Sequence, residues 1–185
     1  MEPDAVLIER SARGRPDAFV EVARRHELAI HAYLARRAGQ QAADDLLAEV
    51  WLRAFAARGG YDTSTGDARP WLYGIARNVL HEHWRTSRDD QAAARGETST
   101  DPWDAVNDRL DAAGPARVAA AAVRGLPAAE REVLLLVAWE QLTPAEAAKI
   151  LGIPPGTARS RLHRARATLR RVLTERDADQ TGARP

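Results

Sequence analysis

The sequence predicts an all-α protein made of two small helical domains joined by a flexible acidic linker. Apolar residues recur at helical spacing in several segments, no segment shows the alternation typical of a strand, and the last third carries a helix-turn-helix pattern. With 185 residues, of which 45% are hydrophobic, the chain is long enough for two small cores.

The strongest local pattern is a capped helix, a sharp turn and an arginine-rich helix in direct succession. Thr143 and Glu146 have the spacing of a capping box, and Pro144 falls in the first turn, where proline is tolerated. Gly152 can adopt the left-handed conformation that ends a helix. We therefore predict a helix-turn-helix whose second helix begins near Thr157.

The second helix separates an apolar stripe from a basic face. The stripe consists of Ala158, Leu162, Ala165 and Leu169, while Arg159, Ser160, His163 and Arg164 lie on faces that can enter a DNA major groove. Phosphate contacts are expected from Arg161, Arg166, Arg170 and Arg171. The alternative is a solvated face without a ligand. It is less favoured because the cap, the turn glycine and the local positive charge coincide.

The charge distribution supports a polyanionic partner at one end of the chain. The formal net charge is only +1, but residues 157–176 hold seven arginines and one acid, Glu175. Residues 87–114 reverse the sign, with seven acids and three arginines. The basic end therefore suits nucleic acid, and the middle does not.

Composition excludes several classes of protein. The chain contains no cysteine, so it has no disulfide framework, thiolate zinc site or cysteine nucleophile. No run approaches the ~20 apolar residues of a membrane span, and the N-terminus lacks an apolar signal region. We expect a cytoplasmic protein without membrane insertion.

No catalytic centre, metal site or cofactor is expected. His81 and His83 are two residues apart, so on a helix they point about 200° from each other and do not share a metal. Neither a glycine-rich phosphate loop nor a serine elbow occurs in the sequence.

Helical periodicity predicts helices over 16–37, 42–57, 70–85, 116–124 and 128–139. Residues 61–69 read as a loop because turn-forming residues dominate. We expect a first domain over 1–86, an acidic linker over 87–114, a second domain over 115–176 and a disordered tail over 177–185. The linker contains at most one short helix, with Trp103, Val106 and Leu110 as its apolar anchors.

Aromatic residues and an asparagine cluster around the 61–69 loop. Tyr61, Trp71, Tyr73, Trp84 and Asn78 offer stacking surfaces and an amide that could hold an unstacked base. From the residues alone, a structural interpretation is stronger, because Trp71 lies on the inward stripe of its helix.

Two parts of the chain resemble one known family. Residues 44–54 (DDLLAEVWLRA) and 70–78 (PWLYGIARN) resemble region two of the extracytoplasmic-function (ECF) sigma factors of bacterial RNA polymerase. Residues 126–134, with LP and EREVL, and residues 156–166 (GTARSRLHRAR) resemble region four. The segments stand in the family's order, with an acidic stretch between them.

The resemblance implies a non-enzymatic specificity subunit that binds core polymerase, recognises two promoter elements and promotes promoter opening. It implies contacts with the polymerase β′ coiled coil from Asp45, Leu46, Glu49, Val50 and Arg53. It implies capture of a flipped base of the minus 10 element, with Tyr61, Arg77, Asn78 and His81 as DNA contacts. For the minus 35 element, the resemblance implies DNA contacts from Thr157, Arg159, Ser160, Arg161, His163 and Arg164.

Further partners also follow from the resemblance. The polymerase β flap is a second docking element, and an anti-sigma factor is a third class of partner that the family allows. The acidic linker is expected to run through the polymerase toward the active-site cleft and the RNA exit path, where its charge suits a positive channel.

Two other functions remain open at this stage. A dimeric helix-turn-helix regulator would bind duplex DNA without polymerase, and co-migration with core polymerase on a sizing column separates the two cases. A DNA-processing enzyme such as a recombinase would need a serine or tyrosine nucleophile or a metal cluster in the first domain, and the sequence shows none.

The number of arginines predicts the salt dependence of DNA binding. If ~4 to 6 arginines meet phosphates, a plot of log binding constant against log salt concentration should have a slope of roughly −4 to −5, because each contact releases counterions. Titrations of labelled duplex at several salt concentrations measure it. A slope near zero would contradict a phosphate-binding role for this helix.

Overall fold

The computed structural model describes residues 2–95 and 115–182, and in these ranges it confirms the all-α prediction. The described residues form eight α-helices and no strand. The chain divides into two compact units, Met1–Pro102 and Trp103–Pro185. The domain bounds given above remain a prediction.

Four helices build the first unit: α1 (Asp4–Ala12), α2 (Ala18–Ala38), α3 (Gln40–Ala57) and α4 (Arg69–Arg95). The sequence analysis missed α1 because nine residues are too few to display a clear period. It also ended α4 too early. Residues 87–95 include three alanines and no glycine or proline, so the helix continues through them. Trp103, Val106 and Leu110 lie outside the described residues.

The core of the first unit is formed by the apolar faces of these helices. The ring of Phe19 packs edge-on against Trp51 and Phe55, with centroids 6.4 Å and 5.6 Å away. Tyr33 packs in the same way against Tyr73, at 5.2 Å. Fully buried aliphatic side chains complete the core: Ile8, Val22, Ile30, Leu34, Val50, Leu72 and Leu80.

A charged cluster attaches α1 to α2. Asp4 accepts a hydrogen bond from Arg25 Nη1 at 2.9 Å with one carboxylate oxygen. Its other oxygen lies 2.7 Å from His26 Nε2. All three side chains are largely buried, with exposed fractions of 11–15%. The short helix α1 is thereby held at two points on the same turn of α2.

The loop between α3 and α4 is shaped by its own side chains. Tyr61 is buried, and its ring centroid lies 5.0 Å from that of Trp71. Thr65 Oγ1 donates a hydrogen bond to the Tyr61 hydroxyl at 3.0 Å, and burial raises the pKa of that phenol. Asp62 caps a 3-10 turn over Thr63–Thr65 by accepting from the Ser64 amide. The predicted loop is therefore a structured connection.

The second unit contains α5 (Pro115–Arg124), α6 (Ala128–Ala138), α7 (Pro144–Leu151) and α8 (Pro155–Gly182). The capping box is present: the Glu146 amide donates to Thr143 Oγ1 at 3.2 Å, and the Thr143 amide donates to Glu146 Oε2 at 2.6 Å. Gly152 ends α7 with φ +64°, in the left-handed region. The helix-turn-helix is confirmed in its predicted place.

The last helix is longer than the sequence analysis expected. We assigned residues 177–185 to a disordered tail, but α8 continues to Gly182. Residues 177–181 contain no glycine or proline, so nothing local ends the helix before Gly182.

The Tyr61–Trp71 contact predicts different effects for two substitutions. Tyr61→Ala removes a buried ring and should lower the free energy of unfolding of the first unit by about 3–5 kcal/mol. Tyr61→Phe keeps the ring and loses only the hydrogen bond with Thr65, so it should cost about 1 kcal/mol. Urea unfolding followed by tryptophan fluorescence compares them. Equal, small effects of both variants would show that the ring does not pack in this way.

Candidate functional site

The first turns of α8 expose one polar face and bury the opposite one. Ala158, Leu162 and Ala165 have exposed fractions of 0%, 4% and 0%, and they join a core with side chains of α6 and α7. Of the six residues predicted to contact DNA on this helix, four are exposed and two are half-buried. The exposed ones are Arg159, Ser160, His163 and Arg164, and the half-buried ones are Thr157 and Arg161.

Two of these polar side chains are held by bonds within the second unit. Ser160 Oγ donates to the Thr157 carbonyl oxygen at 2.9 Å, one turn earlier in the helix. Arg164 Nε donates to Glu130 Oε1 at 2.7 Å, which joins α8 to α6. The polar face is thus partly organised before any ligand binds.

A second candidate site is a cleft between α3 and α4 in the first unit. It has a volume of about 310 Å³ and is lined by Arg53, Ala57, Ile75, Asn78, His81 and Glu82. Asn78 and His81 are both exposed. The structure therefore places two predicted minus 10 contacts beside Arg53, which was predicted to contact polymerase.

Arg53 is fixed in the wall of this cleft by two carboxylates. Its Nη2 donates to Glu82 Oε2 of α4 at 2.6 Å, and its Nε donates to Glu49 Oε1 at 2.5 Å. The hydrogen bond with Glu82, followed by that with Glu49, raises the pKa of Arg53. The same bond from Arg53 lowers the pKa of Glu82. The three charges form a bridge between α3 and α4.

The predicted polymerase contacts on α3 divide into surface and core residues. Asp45 is exposed, and Glu49 and Arg53 are half-buried. Leu46 and Val50 have exposed fractions of only 8% and 0%. In this structure these two side chains support α3 from the inside and do not form part of its outer surface, because they occupy its apolar stripe.

The sequence analysis did not single out Leu52, whose side chain is 67% exposed on α3. The sequence did contain a signal for this residue, namely its position relative to the apolar stripe of α3. Leu46, Val50 and Ala54 share one face of the helix, and Leu52 falls off that face. A large apolar side chain exposed on the polar side of an amphipathic helix is available for contact with another molecule.

The predicted minus 10 contacts Tyr61 and Arg77 are less accessible than Asn78 and His81. Tyr61 is 8% exposed and its ring faces Trp71, so it does not offer a free stacking surface here. Arg77 is half-buried. The sequence marked Tyr61 as an aromatic in a polar loop, and it gave no sign that Trp71 would cover the ring.

Two other kinds of site do not occur in the described residues, 2–95 and 115–182. No group of three or more His, Asp or Glu side chains in these ranges could hold a metal ion. None of the helices described there is long and apolar enough to cross a bilayer.

Two solved structures share the fold of this chain. One is described as CnrH in complex with the cytosolic domain of CnrY, at a TM-score of 0.65 and 24% identity, covering 94% of this chain and 99% of that one. Another is the sigma factor RpoE with the anti-sigma factor NepR from Bartonella quintana, at a TM-score of 0.63 and 22% identity, covering 84% and 96%. These likenesses establish the fold.

Sequence comparison assigns both units to one family. The family model for Sigma-70 region 2 matches residues 22–89, and the model for Sigma-70, region 4 matches residues 117–169. The sigma factor CarQ of Myxococcus xanthus is 34% identical over 91% of this chain and 96% of its own length. The ECF sigma factor BldN of Streptomyces coelicolor is 31% identical over 91% of this chain, which spans 65% of that protein.

The ECF sigma factor SigL of Mycobacterium tuberculosis is 31% identical over 81% of this chain and 85% of its own length. Family models thus cover the helices of both candidate sites, and relatives match nearly the whole chain in a single alignment. The chain belongs to the extracytoplasmic-function sigma factors, which are subunits that bind core RNA polymerase and promoter DNA.

Proposed function

We propose that the two units divide the work of promoter recognition: the second reads the minus 35 element as duplex, and the first binds polymerase and captures unpaired minus 10 bases. The observation that carries this proposal is the polar face of α8, exposed opposite a fully buried stripe.

The minus 35 role follows from the shape and chemistry of α8. An α-helix fits the major groove, and the second helix of a helix-turn-helix places its first residues against base edges. Arg159, Ser160, His163 and Arg164 are exposed at that end of α8. Arginine donates to guanine O6 and N7, and further arginines along the helix can meet phosphates.

The minus 10 role is assigned to the cleft between α3 and α4 and to the loop that connects these two helices. Asn78 and His81 place an amide and an imidazole at the cleft, and both groups can hydrogen bond with base edges. Tyr61 and Trp71 support this role by holding the loop in shape. Capture of unpaired bases would drive strand opening, so the chain needs no catalytic centre of its own.

The polymerase contact is assigned to the outer surface of α3. Asp45, Glu49 and Arg53 offer charges of both signs, and Leu52 adds an exposed apolar group at its middle. An apolar centre surrounded by charged side chains is typical of protein interfaces. Leu46 and Val50 contribute by fixing the rotation of α3 about its axis.

Two substitutions test this division of work. Arg164→Ala should lower transcription from cognate promoters by roughly 5- to 150-fold, the range for loss of one bidentate base contact, and leave polymerase binding intact. Asp45→Arg should reduce co-purification with core polymerase by about tenfold or more, because a charge of the wrong sign opposes docking. Reconstituted transcription and sizing-column co-migration measure the two effects.

Glu27→Arg is the matched control for Asp45→Arg. Glu27 is exposed on α2 of the same unit, and the substitution changes the net charge equally. It should leave polymerase binding unchanged. Equal loss of polymerase binding and DNA binding in both test variants would contradict the division of work. Tight binding of promoter duplex by a dimer that does not bind polymerase would support a regulator instead.

A further inference from the structure

We propose that Glu130 is a positioning residue that presents the guanidinium of Arg164 to a guanine in the upstream promoter element. This inference rests on the proposed minus 35 role of α8 and adds a specificity determinant on α6, a helix that need not touch DNA itself.

Glu130 and Arg164 differ in how far their side chains are exposed to solvent. Glu130 lies in the first turn of α6, and its side chain is 13% exposed, while Arg164 is 57% exposed on α8. The two residues are 34 positions apart in sequence and are joined by an Nε–Oε1 bond of 2.7 Å. The carboxylate is therefore set into the fold, and the cation that it holds extends to the surface.

Because the bond to Glu130 uses Nε of Arg164, the rest of the guanidinium can still donate hydrogen bonds to DNA. Glu130 accepts from Nε, so this bond does not use the two terminal amino groups of the guanidinium. These groups carry four of the five N–H donors and can approach guanine O6 and N7 end-on as a pair. A bond at Nε also fixes the plane of the guanidinium, so less side-chain freedom is lost when DNA binds.

A purely structural role is a poor explanation of the pair. Arg164 is 57% exposed, so solvent screens the pair and limits its contribution to stability. An acid near DNA also repels phosphates, so retaining it lowers non-specific affinity. A positioning role predicts two different effects when the negative charge of Glu130 is removed. Discrimination between DNA sequences should fall, whereas affinity for non-specific duplex should stay constant or rise.

The test uses holoenzyme and a duplex library with a randomised upstream segment, and sequencing of the bound fraction gives the base preference. Arg164→Ala should abolish a guanine preference at one position. Glu130→Gln should weaken the preference at that same position by about 2- to 10-fold, the range for immobilising one side chain. In the Arg164→Ala background, Glu130→Gln should have no further effect on specificity.

Glu175→Gln is the matched control because it removes the same charge from the same unit. Glu175 is exposed on α8, 11 residues after Arg164, which is roughly 16 Å along the helix and beyond the screening length of about 8 Å. It should leave base preference unchanged. Core polymerase binding of all variants confirms that the first unit is intact, and circular dichroism confirms folding.

The outcomes separate this inference from the proposed function. If Glu130→Gln retains the full guanine preference, or weakens preference equally with and without Arg164, the positioning role is overturned and α8 remains the reader. If the unaltered holoenzyme shows no preference at any randomised position, both proposals are overturned together.

Discussion

The burial of a small-residue stripe on α8 is the constraint on which the arrangement of the second unit depends. Ala158 and Ala165 are completely buried against α6 and α7, and Leu162 lies between them. Side chains of this size let α8 approach its neighbours closely and fix its rotation about its own axis. That rotation exposes the polar face and brings Arg164 within reach of Glu130. The capping box and the left-handed Gly152 set the path of the chain into α8.

In the first unit, charged side chains at the surface join two helices. Arg53 joins Glu49 on its own helix to Glu82 on α4, so a polar bridge spans the cleft that holds Asn78 and His81. The loop that connects α3 to α4 depends on the contact between the buried ring of Tyr61 and the ring of Trp71. Both proposed DNA sites thus pair an accessible polar group with a fixed support behind it.

The sequence predicted most of the fold because its signals are local. The capping box, Gly152 and the stripe of α8 each follow from spacing within one or two turns, and the structure confirms all three. The burial of Tyr61 and the partnership of Arg164 with Glu130 depend on residues that the fold brings together, so periodicity could not reveal them. The helix α1 escaped notice for a different reason, since its nine residues are too few to display a clear period.

The separation of faces on α8 has an evolutionary consequence. Residues such as Arg159, Ser160 and His163 are exposed and make no contribution to the buried stripe, so they can be exchanged with little effect on folding. Gene duplication followed by drift at these few positions would yield paralogues with new promoter preferences on an unchanged scaffold. Arg164 would be the exception, because its replacement would leave the largely buried carboxylate of Glu130 without a partner.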